Sequence, residues 1–257
     1  MDLKLAGKVA IVTGASRGIG RAIAERLSQE GVKLVLAARS AQLLQELADS
    51  CVSEALIFPA DLRNEATPQA LIDFAIEQFG ALHLLVNNAG ATKRGDFLQL
   101  SEADWQDGFA LKFFSTVRCS KAAWPHLRRH QGAIVNIVGV GGRTGSAEFA
   151  IGGAVNAGLL NLSKVLADKG IVEGVKVNAI NPGSIATDRL QLRIKNTALE
   201  KNISHEEAAL AMAQKLGVAR FGRPEEIAAA VAFLASPLSD YCQGSVLDVD
   251  GGQTRTL

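Results

Sequence analysis

Short, almost uninterrupted apolar runs alternate along the chain with longer stretches in which apolar residues recur at helical spacing. The apolar runs have the length and β-branched content of parallel strands that are buried on both faces. We predict seven strands: Val9–Thr13, Leu34–Ala37, Ala55–Phe58, Leu82–Asn87, Ala133–Val138, Val175–Ile180 and Ser245–Val249. Parallel strands separated by helices need crossover connections, so the pattern predicts an α/β fold, a doubly wound seven-stranded parallel sheet with helices on both faces.

The first helical stretch follows the first strand directly. Ile19, Ile23 and Leu27 lie on one face of this helix, and Gly31 suits the position just past its end. No repeat, low-complexity segment or linker interrupts the alternation of strands and helices. We therefore predict one domain over residues 1–257.

The segment between the sixth and seventh strands is longer than a simple crossover. It contains Ser204 and Glu207 at the spacing of a capping box, which opens a helix that Gly217 ends. Its apolar face comprises Ala209, Met212, Ala213 and Leu216. We predict that residues 184–217 form a lid over a site, and the alternative is a helix packed permanently on the domain.

Composition narrows the function. Hydrophobic residues make up 48% and charged residues 21% of the chain, and the net charge of +1 gives no reason to expect a nucleic-acid or membrane partner. The start, Met1 to Lys4, lacks the apolar core of a secretory signal. Cys51, Cys119 and Cys242 are odd in number and widely separated, so we expect no disulfide framework, no metal site and a cytoplasmic location.

A glycine-rich loop, Thr13-Gly14-Ala15-Ser16-Arg17-Gly18-Ile19-Gly20, joins the first strand to the first helix. Glycines in this context allow a tight turn and a close approach of the backbone to a pyrophosphate, which the free N–H groups at the helix start then bind. Sites for NAD usually place a carboxylate about 20 residues further on. Here the second strand ends at Ala38-Arg39-Ser40, so Arg39 and Arg17 indicate binding of NADP(H) in preference to NAD(H).

The TGxxxGxG spacing of the glycine loop resembles the short-chain dehydrogenase/reductase family, and further motifs follow in the family's order. They are Asp61-Leu62, Asn87-Asn88-Ala89-Gly90, the segment Asn181 to Thr187, Arg223-Pro224-Glu225-Glu226-Ile227 and Asp250-Gly251-Gly252. The resemblance covers about residues 5–253 and implies a Rossmann-type domain. The cofactor contacts that it implies come from Gly14, Ser16, Arg17, Gly18, Ile19, Gly20, Arg39, Ser40, Asp61, Leu62, Asn88, Ala89, Gly90, Pro182, Gly183, Ile185 and Thr187.

The family's usual catalytic residues are Ser, Tyr and Lys, with an Asn on the preceding long helix. Gly139 stands where the family has Ser, and the ungapped alignment of the next helix puts Gly152 at the Tyr position and Asn156 at the Lys position. The register of the preceding helix puts Lys112 at the Asn position. The only tyrosine, Tyr241, lies in a C-terminal segment, so no shift of the alignment restores a catalytic Tyr.

Lys112 and Asn156 exchange the residue types of two family positions, which suggests that a cation is kept but changes helix. A desolvated lysine beside a cofactor has a lowered pKa and can donate a proton, so Lys112 and Asn156 are the candidate catalytic residues. Gly139 and Gly152 are expected to leave space that a substrate group, a water or the Lys112 chain fills. The alternative is that Lys112 extends into solvent and the site has decayed.

Other polar residues near the predicted site are weaker candidates. Lys93, Arg94, Arg143 and Glu148 follow strand ends and either bind a polar substrate or are solvated loop charges. His83 falls in a predicted buried strand, so we expect a hydrogen-bonded core residue rather than a catalyst.

The resemblance implies an NADP(H)-dependent oxidoreductase that acts on a small carbonyl or alcohol substrate through an atypical site. General acid–base help is worth only ~10²–10⁴ in rate, so hydride transfer without the tyrosine is feasible. The alternatives are a catalytically inactive NADP(H)-binding sensor or partner subunit, and a non-redox enzyme on the same scaffold.

The family commonly forms tetramers through its two long helices, which we predict here at Ser101–His130 and Ala147–Lys169. These helices carry more apolar residues than one sheet-facing stripe needs, namely Phe113, Phe114, Val117, Leu159, Leu160 and Leu162. We therefore expect a homotetramer or dimer.

Overall fold

Seven parallel strands form one sheet in the order β3-β2-β1-β4-β5-β6-β7 in the computed structural model, which describes residues 2–255. The strands are β1 Val9–Thr13, β2 Lys33–Ala38, β3 Ala55–Pro59, β4 Leu84–Asn87, β5 Ala133–Ile137, β6 Lys176–Pro182 and β7 Val246–Val249. The chain reverses direction across the sheet between β3 and β4, so the carboxyl ends of β1 and β4 flank the switch point where such sheets bind ligands. The predicted fold class is confirmed.

Nine α-helices connect and cover the strands within the described residues: α1 Gly18–Gln29, α2 Ala41–Ser50, α3 Thr67–Phe79, α4 Glu102–Gly108, α5 Ser115–His130, α6 Ala150–Glu173, α7 Asp188–Lys201, α8 His205–Leu216 and α9 Pro224–Ala235. Alternate residues of each strand point to opposite faces, so the sheet supports two cores. One core joins the sheet to α1, α2 and α9, and the other joins it to α3 and α5. Helices thus cover both faces.

Most element bounds agree with the sequence predictions to within a few residues, and two differ for clear reasons. The predicted helix Ser101–His130 is instead α4, a π-helical turn at Phe109–Phe114 and α5. The helix predicted at Ala147–Lys169 begins at Ala150 and continues to Glu173, where Gly174 adopts a left-handed conformation. Apolar spacing alone marks neither a π turn nor a helix end.

The predicted lid region contains two helices rather than one. The capping box of Ser204 and Glu207 opens α8 as predicted, but α7 precedes it and packs against it. Leu190 and Ile194 of α7 and Ala208 of α8 form a small core that is separate from the two sheet cores. The two helices therefore pack on each other, and α7 begins at Asp188, a short loop after β6 ends at Pro182.

One helix among residues 2–255, α6, is long and apolar enough to cross a membrane by length and composition alone. Such a signal is weak, because a core helix of a globular domain passes the same test. Ile151, Val155, Leu159 and Ala167 lie on one face of α6 and are buried within the protein. This packing accounts for part of the apolar composition of α6.

Candidate active site

A cleft of about 550 Å³ opens at the carboxyl ends of β1, β2 and β4. The glycine loop forms its floor, and Asn88, Ala89 and Gly90 form one wall. Arg39 and Ser40 line the end beside β2, and Thr187 closes the side beside α7. The volume and the elongated row of lining residues suit an extended ligand such as a dinucleotide.

Glycine is required in the loop at the floor of this cleft. Gly14 has φ of +66° and Gly18 has φ of +55°, which L side chains rarely adopt. Gly20 is constrained by space instead, because a Cβ there would lie 2.2 Å from the Gly14 carbonyl oxygen and 2.4 Å from Asn88 Nδ2. The loop therefore keeps its backbone bare at the start of α1, where free N–H groups bind anions.

Hydrogen bonds fix the adjacent wall to the glycine loop. The Thr13 hydroxyl accepts hydrogen bonds from the backbone N–H groups of Asn88 at 2.9 Å and Ala89 at 3.0 Å, and donates to the Val86 carbonyl at 3.1 Å. Asn88 Nδ2 donates to the carbonyl oxygens of Thr13 at 2.9 Å and Gly14 at 3.2 Å. These bonds set the width of the cleft before any ligand enters.

Arginine side chains line the end of the cleft beside β2. Arg39 is exposed directly after β2, and Ser40 caps α2 through a 3.4 Å hydrogen bond from the Leu43 N–H to its hydroxyl. Arg17 lies on the glycine loop, with its guanidinium 3.9 Å from Asp188 at the start of α7. No carboxylate occupies the position after Ala38 that would repel a phosphate on the ribose.

Lys112 lies beside the Gly90 wall of the cleft, in the π-helical turn between α4 and α5. Such turns recur at functional sites because they displace side chains from the regular helical positions. The Thr116 hydroxyl donates a hydrogen bond to the Lys112 carbonyl at 2.8 Å. The aliphatic chain of Lys112 lies against Gly90, where a Cβ would approach Lys112 Cδ to 2.8 Å.

Lys112 and Asn156 meet, as the sequence hypothesis requires. Lys112 Nζ donates to Asn156 Oδ1 at 2.6 Å and to the Val138 carbonyl at 2.6 Å. Asn156 Nδ2 donates to the Gly139 carbonyl at 3.4 Å, so the amide is oriented with its oxygen toward the lysine. The alternative in which Lys112 extends into solvent does not describe this structure.

The environment of Lys112 changes its acid–base behaviour. Burial, and next the positive charge of nearby Arg189, lower the pKa of Lys112 to about 7. The two carbonyl acceptors satisfy two of the three ammonium hydrogens. Lys112 can therefore gain and lose a proton near neutral pH at the edge of the cleft.

Residues 14–254 match the family described as enoyl-(acyl carrier protein) reductase. The 3-oxoacyl-(acyl-carrier-protein) reductase of Vibrio cholerae is 36% identical over 251 residues, which are 97% of this chain and 98% of that protein. The corresponding reductase of Escherichia coli is 35% identical over 96% of this chain and 97% of that protein. The chain belongs to the short-chain dehydrogenase/reductase family.

Solved structures of this family have the same fold. L-sorbose reductase from Gluconobacter frateurii, solved with NADPH and L-sorbose, is 31% identical with a TM-score of 0.95, and all of each chain is covered. Levodione reductase is 29% identical with a TM-score of 0.91 over 97% of this chain and 98% of that one. The family and the oxidoreductase class predicted from the sequence are confirmed.

Most of the residues predicted from the family motifs to bind the cofactor line the cleft, and three do not. Pro182 and Ile185 are buried, and Ile185 pairs with Gly222 beyond the β6 segment. A Cβ at Gly183 would meet Asp250 at 2.8 Å, so this glycine serves close packing against the last strand's end. The lining residues that the sequence analysis did not single out are Ala38, Leu43, Ala60, Ala91, Leu111, Asp188 and Arg189.

Arg189 is the most consequential of the residues missed by the sequence analysis. Its guanidinium reaches across from α7 and donates to the Gly90 carbonyl at 2.8 Å. With the Arg17–Asp188 pair, this contact gives α7 two polar links to the cleft walls. The sequence signal was available, because Arg189 follows the Thr187 motif directly and Arg193 lies one helical turn further on.

The expectation of empty space at Gly152 is wrong. The Phe149 ring lies directly over this glycine, so a Cβ there would be 2.1 Å from Phe149 Cζ. The same ring covers Gly141, and the Arg94 guanidinium lies 4.2 Å from its centroid. The sequence suggested Lys112, water or substrate as the occupant of the space at Gly152. The occupant is instead an aromatic ring three residues away on the same segment.

Gly139 also has a structural role that an absent side chain alone does not suggest. Its φ is +127°, and a Cβ there would lie 3.1 Å from Asn156 Nδ2. Its N–H donates to Asn181 Oδ1 at 3.2 Å, and Asn181 Nδ2 donates to Asp248 at 2.9 Å. The glycine therefore lets the backbone after β5 approach both asparagines.

The remaining candidates divide by their partners. Lys93 pairs with Asp104 at 2.9 Å, and Arg143 lies 3.6 Å from Asp248, so both have carboxylate partners within the protein. His83 Nδ1 accepts a hydrogen bond from the Val9 N–H at 3.1 Å, as expected of a structural histidine. Within residues 2–255, no group of His, Cys, Asp and Glu side chains is arranged to hold a metal ion.

Proposed function

We propose that this protein is an NADP(H)-dependent reductase or dehydrogenase of a small carbonyl or alcohol, with Lys112 and Asn156 at its reaction centre. The observation that carries the proposal is the Lys112–Asn156 hydrogen bond of 2.6 Å, with the Lys112 chain packed against Gly90 in the wall of the cleft. Gly139 and Gly152 stand where the family's Ser and Tyr are expected by alignment. The usual side chains are therefore replaced rather than merely displaced.

The cleft fits an NADP(H) molecule on its own geometry. The bare backbone of Gly14, Gly18 and Gly20 leaves room for a pyrophosphate beside free N–H groups. Arg17 and Arg39 lie near the end where a ribose 2′-phosphate binds, and each can form a charge-assisted hydrogen bond to it. Asp61, Leu62, Asn88 and Thr187 supply the remaining polar and apolar walls in this proposal.

The reaction needs a proton and an oriented carbonyl from the protein. Reduced nicotinamide supplies the hydride when it is bound. Lys112 holds an exchangeable proton on Nζ at neutral pH, because burial lowers its pKa to about 7. Asn156 positions that ammonium through its amide oxygen, so Lys112 donates to a substrate oxygen as the family's tyrosine does.

The comparisons support this class of reaction. The curated relatives are named as reductases of 3-oxoacyl groups, and the solved sorbose reductase contains NADPH and a sugar substrate. Both substrates carry a carbonyl that accepts a hydride. Preference for NADP(H) over NAD(H) rests on Arg17, Arg39 and the absent carboxylate.

A non-catalytic NADP(H)-binding protein is the second candidate, and one observation favours it. Phe149 fills the space over Gly152, next to the position where a substrate carbonyl has to reach Lys112. If that ring stays in place, the cofactor binds but no substrate reaches it. The two candidates differ in whether the bound cofactor is consumed.

The test is to follow NADPH absorbance with a panel of ketones, aldehydes and 3-oxo esters, after titrating NADPH and NADH separately. We expect consumption of NADPH with at least one carbonyl and tighter binding of NADPH than of NADH. Tight NADPH binding without turnover across the panel would support the non-catalytic candidate. Equal affinity for the two cofactors would contradict the proposed preference.

We also propose that the protein assembles as a dimer or tetramer through α5 and α6. Phe114, in the π-helical turn just before α5, is 45% exposed, and Val165 on α6 is 57% exposed. Leu159, in contrast, is part of the protein's own core, so fewer apolar groups remain for an interface than the sequence suggested. Light scattering at micromolar concentration tests this, with Val165→Lys expected to reduce the mass.

The free cysteines Cys51, Cys119 and Cys242 suit the cytoplasmic location expected from the sequence.

A further inference from the structure

Two buried asparagines lie on either side of the loop that follows β5. Asn156 on α6 is 2% exposed, and Asn181 on β6 is completely buried. Buried amide groups need hydrogen-bond partners, and both of these side chains find one on the same residue. Asn181 Oδ1 accepts a hydrogen bond from the Gly139 N–H at 3.2 Å, and Asn156 Nδ2 donates to the Gly139 carbonyl at 3.4 Å. Gly139 therefore connects the two side chains.

The loop itself packs closely on Asn156. It turns through residues 140–142, and its glycines bring backbone rather than side chains against α6. A Cβ at Gly142 would lie 2.9 Å from the Asn156 carbonyl carbon, and a Cβ at Gly139 would lie 3.1 Å from Asn156 Nδ2. The position of this loop consequently limits how the Asn156 amide can rotate.

Asp248 on the edge strand β7 anchors the loop at both ends. The register of β6 and β7 places Asn181 beside Asp248, and Asn181 Nδ2 donates to Asp248 Oδ1 at 2.9 Å. Arg143, at the far end of the loop, lies with Nη1 3.6 Å from Asp248 Oδ2. Because Asn181 also binds Gly139, one carboxylate is linked to the beginning and to the end of the loop.

These hydrogen bonds form one continuous series that ends at Lys112. Asp248 binds Asn181, which binds the Gly139 N–H. The Gly139 carbonyl binds Asn156, whose Oδ1 accepts a hydrogen bond from Lys112 Nζ at 2.6 Å. Groups in such a series orient and polarise one another. Since its amide and peptide groups do not ionise, the series sets positions and does not carry protons.

Asn178 shows what a buried asparagine does when it joins only β6 and the strand beside it. It lies on the same strand as Asn181 and is 1% exposed. Its Nδ2 donates to the Cys242 carbonyl at 2.7 Å, and its Oδ1 accepts from the Ser245 N–H at 2.9 Å. Both partners lie in the segment that leads into β7. Asn181 differs because its oxygen faces Gly139, in the loop that packs on the reaction centre.

We propose that Asn181 and Asp248 are positioning residues of the reaction centre, which keep the Asn156 amide oxygen on Lys112. The inference rests on the proposed function and adds two residues to its site. They act through Gly139 and Asn156. A shift of the loop away from α6 would free the Asn156 amide to rotate, and Lys112 would then lose one of its two acceptors.

The test follows the titration of Lys112 and needs no turnover. The protein is prepared with lysine that carries a stable carbon isotope at Cε, and magnetic resonance identifies Lys112 by the signal that disappears in Lys112→Met. We expect a pKa of about 7 in the unaltered protein. Asn181→Leu keeps the side-chain volume but removes both hydrogen bonds. The pKa of Lys112 should then fall by about one unit, because a hydrogen bond to a charged group contributes about that much or more.

Substitutions at Asp248 separate the hydrogen bond from the charge. Asp248→Leu and Asp248→Asn both remove the carboxylate and its pairing with Arg143, but only Asp248→Asn keeps an oxygen that accepts from Asn181. We expect Asp248→Leu to lower the pKa of Lys112 by roughly half a unit and Asp248→Asn to leave it unchanged. If Asn181→Leu does not fold by circular dichroism, these two variants decide the question.

Asn178→Leu is the matched control. It removes two hydrogen bonds from another buried asparagine of β6, so its cost in urea unfolding should be similar to that of Asn181→Leu, while the pKa of Lys112 stays constant. An unchanged pKa in the folded Leu variants of Asn181 and Asp248 overturns the inference. An equal shift in Asn178→Leu or in Asp248→Asn overturns it as well.

The outcome separates this inference from the proposed function. Consumption of NADPH by the unaltered protein, with an unchanged Lys112 pKa in Asn181→Leu and Asp248→Leu, overturns the positioning role and leaves the reductase proposal intact. A shifted pKa in these variants of a protein that consumes no NADPH supports the positioning of Lys112 and overturns the proposed reaction.

Discussion

The two ends of the cleft are built on different principles. The nucleotide end depends on backbone: three glycines, a hydroxyl at Thr13 and the Asn88 amide fix a surface on which few side chains take part. The proposed reaction end depends on side chains from three separate elements. Lys112 comes from the π turn and Asn156 from α6, while Phe149 comes from the loop after β5.

This difference agrees with the proposal that the nucleotide end keeps the family pattern and that the end at Lys112 departs from it. A backbone surface tolerates little change, because nearly any Cβ at Gly20 collides with Gly14. Side chains can be exchanged as a set, provided that charge and volume stay compatible. Here a cation is kept at Lys112, its partner is Asn156, and a phenyl ring fills the space over Gly152.

The largest expected effect is a loss of NADPH affinity when a single methyl group is added at the nucleotide end. Gly20→Ala places a Cβ 2.2 Å from the Gly14 carbonyl oxygen, so the loop has to move and NADPH affinity falls at least about a hundredfold. Calorimetry measures the affinity, and circular dichroism establishes whether the variant folds. Gly145→Ala is the matched control, since nothing lies within 4 Å of a Cβ there. Unchanged affinity in Gly20→Ala would break the distinction between the two ends.

The next largest effect concerns the reaction end. Lys112→Met keeps the length of the chain but removes the proton donor, so we expect turnover to fall by ~10²–10⁴ while NADPH still binds. In the unaltered protein, kcat/KM for reduction should fall as pH rises through about 7, where Lys112 loses its proton. Lys121→Met, on the exposed side of α5, is the control. Turnover that survives in Lys112→Met contradicts the assignment.

The contrast between the two ends also set what the sequence could reveal. The succession of strands and helices along the chain and the position of the glycine loop were predictable, because apolar runs, helical spacing and glycines at fixed offsets each indicate one kind of structure. Lys112 and Asn156 were predictable as a pair only through the register of two helices in the family. Their 2.6 Å hydrogen bond agrees with that register.

The surroundings of the reaction end were not predictable in the same way. The position of Phe149 depends on how an irregular loop folds back over Gly152, and no periodicity reports that. Arg189 reaches Gly90 from 99 positions further along the chain, and only the packing of α7 determines this contact. Pro182, Gly183 and Ile185 were assigned to the cofactor because their motif adjoins it; they lie outside the residues that line the cleft, and their contact with the cofactor stays a prediction.

A smaller effect is expected at the charged tip of the nucleotide end, where a side chain does contribute. Arg39→Ala removes one guanidinium near the proposed 2′-phosphate, so NADPH affinity should fall roughly tenfold to hundredfold while NADH affinity stays constant. Arg129→Ala, which removes an exposed arginine at the end of α5, controls for net charge. Equal losses for both cofactors would show that Arg39 acts on the loop and not on the phosphate.

The smallest expected effect is on the pH dependence of folding stability, because burial of charged Lys112 destabilises the folded protein. The pKa of Lys112 is about 7 in the folded protein, whereas its ordinary value is 10.5. Between these two pH values the unfolded chain therefore binds more protons than the folded one. Stability therefore rises with pH across this window, is lowest with respect to this group below about pH 7, and gains at most roughly 1.4 kcal/mol per pH unit. Burial raises the pKa of Cys119 to about 12, and this group lowers stability as pH rises above 9. The effect of Lys112 is therefore separate from that of Cys119 between pH 7 and 8.5.

Urea unfolding in that interval should show a midpoint that rises with pH for the unaltered protein and for Lys121→Met, but a constant midpoint for Lys112→Met. A rise of the same size in Lys112→Met would mean that the lysine is not enclosed in solution, and the reaction end would then resemble an exposed surface rather than a site.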